Sequence, residues 1–152
     1  MQATIHELGA YLGASLAAIA GWFAINWVGR PILAVRSARL EAIRTAERYG
    51  RVSSGEAEES VNIVIRMLND TVAKLRSLAR AQEFYVHVYC LLMGYDLECA
   101  AKAVNGLAHL AGGYHADTQK NNLNLVYYSL NAYRHLSTSE LTILKSALAE
   151  MA

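Results

Sequence analysis

The chain has 152 residues, with 14 basic against 13 acidic side chains, a net charge of +1 and a hydrophobic fraction of 54%. That length holds one domain plus a short appended element, and the near-neutral charge supplies no general pull toward nucleic acid. Mean hydropathy is +0.17, high for a water-soluble domain, and two cysteines, Cys90 and Cys99, are too few for a disulfide scaffold, so they fit buried thiols in a reducing compartment.

The excess hydrophobicity sits at the N-terminus. Leu8 to Val28 contains no Asp, Glu, Lys, Arg or His, and its only strongly polar side chains are Ser15 and Asn26. As a helix it rises about 31 Å, matching a hydrocarbon core of roughly 30 Å. The expectation is a transmembrane anchor over residues 1–29 and a helical domain over residues 30–152. Two other readings compete with it. A cleaved signal peptide finds a small-x-small site in Ala18-Ile19-Ala20, but residues 1–7 lack Lys and Arg, and the apolar run continues through Trp22, Phe23, Ile25, Trp27 and Val28. The other is a core helix of a soluble protein.

Flanking charge predicts the orientation. Arg30, Arg36, Arg39, Arg44, Arg48 and Arg51 follow the span, opposed by Glu41 and Glu47, whereas His6 and Glu7 precede it. Basic flanks stay on the cytoplasmic side, so the N-terminus is expected outside and the C-terminal domain in the cytoplasm of a bacterial inner membrane. Trp22 and Trp27 fit the aromatic belt at the cytoplasmic interface beside Arg30, Arg36 and Arg39, with Tyr11 at the other interface. Small residues recur every fourth position at Gly9, Gly13, Ala17 and Gly21, a stripe that lets helix backbones approach closely.

Beyond the span, Gly29-Arg30-Pro31 is expected to interrupt the helix, with Pro31 opening the next one. Ile32, Val35, Leu40, Ile43 and Ala46 are placed on one inward side of that helix. Gly50 to Gly55 reads as a loop, with Ser53 or Ser54 capping the next helix. Val61, Ile65, Leu68, Val72, Leu75, Ala79, Gln82, Val86, Tyr89 and Met93 then follow alternating steps of four and three, an a/d seam that serves a bundle within the chain or a coiled coil between chains. A kink or break near Arg80 to Glu83 is compatible with it, and the run from Phe84 to Met93, apolar nearly all round, is expected to lie deeply buried. Gly94 ends this stretch, and Asp96 caps a helix that Gly112-Gly113 stops. Asp117 or Thr118 starts the next, and Ser137 with Glu140 forms a capping box before the last. No stretch alternates with period two. The predicted fold is all-α: one N-terminal transmembrane helix followed by an irregular bundle of about five helices.

Chemistry-bearing motifs are sparse. His87 and Cys90 share a helical face, and Cys99, His109 and His115 follow, but there is no CxxC, HExxH or Glu-x-x-His pair, so no metal or cofactor is expected. Apolar surroundings blunt a thiol by raising its pKa. No phosphate-binding glycine loop and no outstanding carboxylate pair occurs, and no catalytic residue is assigned. Tyr127, Tyr128 and Tyr133 lie in an amide-rich stretch short of positive charge, which suits a protein partner surface better than nucleic acid. The layout resembles that of small single-pass bacterial proteins, in architecture alone and with no implied activity. The expected role is a non-enzymatic, membrane-anchored interaction protein, an accessory subunit or self-assembling scaffold whose partners are the lipid bilayer and either a protein or further copies of itself. Alternatives are an oligomerising, membrane-permeabilising effector and a membrane-anchored ligand or metal sensor using His87 and Cys90.

Overall fold

The structure is a computed structural model that describes residues 2–49, 58–80, 84–113 and 115–150, without the side chains of residues 2–10, 12 and 147–150. Helix α1 (Gln2–Phe23) passes through a wide, π-type turn (Ala24–Gly29) into α2 (Arg30–Tyr49). There follow α3 (Glu58–Ala79), α4 (Phe84–Met93), α5 (Leu97–Leu110), α6 (Ala116–Ser129), a single 3-10 turn (Tyr133–His135) and α7 (Thr138–Glu150). No strand occurs among the described residues. The chain is all-α, a long apolar N-terminal helix followed by a helical bundle, and it divides into two compact units at Ala34/Val35.

The expected interruption at Gly29-Arg30-Pro31 does not occur, because helical backbone continues through all three residues. Proline lacks an N–H and its ring needs room against the preceding turn. The wide turn directly before Pro31 supplies that room, and there the Arg30 N–H reaches back five residues to the Ile25 carbonyl.

In the second unit α5 is central, packed on α3 along one side and on α6 along the other. Its sequence explains the double contact. Leu97, Ala100, Ala101, Ala103, Val104, Leu107 and Ala108 are all buried, and the alanines let both neighbours approach. Gly106 takes this furthest, since a Cβ there would stand 2.7 Å from the Asn122 side chain of α6. The seam of α3 is used within the chain: Leu68, Val72 and Leu75 are buried in the same core. Helix α3 ends at Ala79, itself exposed, and the seam position Gln82 lies outside the described residues.

On α2 the inward residues are Val35, Ala38, Ala42, Ile43 and Ala46, whereas Leu40 is exposed, contrary to its expected inward placement. Spacings of three and four favour the small alanines here, and Leu40 falls off that stripe. Local signals set the other boundaries. Asp96 caps α5, its Oδ1 accepting from the Cys99 N–H at 2.8 Å. The capping box before α7 forms, with the Ser137 N–H donating to Glu140 at 2.9 Å and the Glu140 N–H to Ser137 Oγ at 3.3 Å. Helix α6 begins at Ala116, just ahead of Asp117 and Thr118. The Ser53 or Ser54 cap lies outside the described residues.

Helix α4 departs most from expectation. Only Val86 is buried; Phe84 is 79% exposed, Leu91 74% and Leu92 77%. Tyr85, Tyr89 and Cys90 pack partly against the core, so one side of α4 is used and the other is not. A helix that is apolar nearly all round offers little signal for which side, or how much of it, its neighbours will cover.

Candidate functional site

In the first unit the apolar segment has no interior to enter. Tyr11, Leu16, Ile19, Trp22, Phe23, Ile25, Trp27 and Val28 are all exposed. A core helix of a soluble protein would bury most of these side chains, whereas within this unit they are exposed. One helix in the described residues is long and apolar enough to cross a membrane, and it lies near the N-terminus. Hydrocarbon tolerates a helix only if its polar groups are satisfied internally. Ser15 Oγ donates to the Tyr11 carbonyl and Asn26 Nδ2 to the Trp22 carbonyl, each at 2.8 Å. Both side chains bond to their own helix four residues back. Phe23 meets Trp22 and Trp27 edge-on, with ring centroids 5.3 and 5.5 Å away. Gly13, Ala17 and Gly21 are exposed, and a Cβ on either glycine would meet nothing within 4 Å. Gly9 lies outside the residues whose side chains are described.

The three arginines behind the span have different surroundings. Arg30 and Arg36 are exposed. Arg39 is half-buried, with Nε donating to the Leu130 carbonyl at 2.7 Å and Nη2 to the Asn131 carbonyl at 3.2 Å, and its guanidinium lies 5.2 Å from the Tyr95 ring centroid. Asn131 completes the tie. Its backbone is left-handed (φ 52°), which turns the chain after α6, and its Nδ2 donates to the Met93 carbonyl at 2.9 Å. Arg39 thus binds α2 to the end of α6, and Asn131 carries the link to the end of α4. Sequence reasoning placed Arg39 at the membrane interface and missed Asn131. The available signal was an asparagine just past a helix end, where the left-handed conformation is favoured.

The three tyrosines separate. Tyr127 is buried and so lies off the surface assigned to it; its ring stacks on His135 with centroids 4.9 Å apart. Tyr128 is half-buried against Tyr133, which remains exposed. Helical spacing alone does not tell an inward tyrosine from an outward one in a helix with polar residues on every side. Beside Tyr127 lies a cleft of about 750 Å³ whose lining includes Glu47, Lys120, His135 and Glu140. Two contacts run across it: His135 Nδ1 stands 3.1 Å from Glu47 and Lys120 Nζ 2.8 Å from Glu140. Lys120, with the Ser137 N–H and hydroxyl, holds the Glu140 carboxyl at about 2, below its ordinary 4.5. A smaller cleft of about 330 Å³ brings His87 and Cys90 together beside Tyr95 and Asp96. Burial pushes the thiols of Cys90 and Cys99 above their ordinary value. Among the described residues no group of three or more His, Cys, Asp and Glu side chains gathers as a metal site would require.

Comparison with protein-family models, with curated proteins and with solved structures yields no match to this chain.

Proposed function

We propose that the chain is a single-pass membrane-anchored interaction protein of a bacterial inner membrane, with its N-terminus outside and its helical unit in the cytoplasm. It acts by holding another protein or further copies of itself, as an accessory subunit or scaffold, and not by catalysis. One observation carries the anchoring: from Tyr11 to Val28 every described large apolar side chain is exposed, while Ser15 and Asn26 satisfy themselves on their own helix. The arginines from Arg30 onward supply the cytoplasmic bias. The open stripe of Gly13, Ala17 and Gly21 supports close approach by a second helix in the membrane.

Fractionation tests the anchor. The intact chain should sediment with membranes and resist an alkaline carbonate wash, with a C-terminal reporter protected from protease added outside the cell. Recovery in the supernatant overturns the reading. Gly13→Leu together with Gly21→Leu should reduce co-purification of partner or copies in mild detergent. Unchanged mass and unchanged co-purification would remove the packing role of the stripe.

A further inference from the structure

Helix α4 carries no Asp, Glu, Lys or Arg from Phe84 to Met93, yet one side of it stays open. Phe84, Leu91 and Leu92 are each about three-quarters exposed. With the half-buried Val88 they fall at i, i+4, i+7 and i+8, one outward stripe bordered by the exposed His87. Together they present roughly 500 Å² of surface, the size at which an apolar patch on a small domain marks an interaction site.

Charge, area and spacing point to the occupant. A face without charged side chains meets its own copy with no like-charge repulsion, and it offers a foreign protein no charge to select by. Interfaces between identical subunits are also the more apolar class, with polar groups kept at the rim, where His87 falls. Laid on its own copy, the stripe would bury about 1,000 Å² in total, the area at which a contact between proteins becomes specific. Phe84 and Leu92 lie four residues to either side of Val88. A two-fold axis through Val88 therefore sets Phe84 of each copy against Leu92 of the other. The smaller Val88 then occupies the crossing, where packed helix axes come within about 8–10 Å.

We propose that α4 is a self-association surface, through which two copies of this chain pair as antiparallel helices crossing at Val88. The proposal rests on the self-assembling form of the reading above and names the surface on the helical unit that joins the copies. It does not depend on the span.

Two full-length chains with different tags are co-expressed, one carrying Phe84→Cys and the other Leu92→Cys, each in a Cys90→Ala, Cys99→Ala background of unchanged helix content. Each pair then loses only one side chain per copy. Mild oxidation of the fraction in which the chain is recovered should link the two tags in a disulfide of dimer mass. Either variant expressed alone should give little dimer, because antiparallel pairing keeps like positions apart, beyond the roughly 7 Å between Cα atoms that a disulfide spans. Dimers of either variant alone in place of the mixed one show parallel helices and overturn the crossing at Val88. An adduct of another mass shows a different protein over the stripe; it overturns the second copy and leaves the interaction reading standing. No adduct in any combination overturns the proposal. An amine-reactive cross-linker applied to the unsubstituted chain then separates the two readings. Dimers with that reagent leave self-assembly standing through another surface, and monomers alone remove self-assembly as well.

Discussion

Side chains that looked like surface features turn out to hold elements together. Arg39 joins α2 to the carbonyls that follow α6, a role that requires a fork of donors. Replacing it with Ala should lower unfolding free energy by about 1.5 kcal/mol, the lower end for charged hydrogen bonds because one of the two acceptors is exposed. Arg39→Lys should recover only part of this, as read from denaturant midpoints. Asn131→Ala should cost about 1–2 kcal/mol from the left-handed backbone alone, and Asn131→Gly distinctly less, although both release the Met93 carbonyl. Glu140 makes stability depend on acid. Its folded pKa of about 2 lies below the ordinary 4.5, so its contribution is complete above about pH 4.5 and is lost as pH falls through about 2. Thermal melts between about pH 5 and 2, roughly the range of carboxylate titration, should show a shallower acid decline for Glu140→Gln than for the parent chain.

Whole elements follow the same pattern, with their ends written locally and their coverage decided by neighbours. Asp96→Ala should cost about 1 kcal/mol by uncapping α5. Gly112 leaves α5 at φ +82°, with Val61 of α3 only 3.1 Å from where a Cβ would stand. Gly112→Ala should therefore destabilise by at least about 1–2 kcal/mol in equilibrium unfolding. Leu107 is 1% exposed in the central helix, and Leu107→Ala should cost about 2–5 kcal/mol. These caps and core positions are legible in the sequence because each depends on residues within one or two turns. The side of α4 that stays uncovered is not, because a helix apolar nearly all round gives the same pattern whether it is enclosed or lies at the edge.

For the molecule as a whole, the two units face different demands: one segment keeps its apolar side chains outside, and the other gathers a core on α5. Ile19→Arg, placed mid-span, should disfavour insertion by about 3 kcal/mol and shift the protein toward the carbonate-extractable fraction without loss of bundle helicity. The all-α class, the apolar span, the Asp96 cap and the Ser137–Glu140 box were determined by the sequence alone, since composition and short-range spacing suffice for each. Tertiary structure decided that the helix runs on past Pro31, that α3 and α4 are separate helices, that Tyr127 turns inward and that α4 keeps an apolar side exposed. It also decided that Arg39 meets Asn131 across some ninety positions of chain. Such outcomes depend on which surfaces are left over once α3, α5 and α6 have packed, and a linear pattern does not encode that competition for contact.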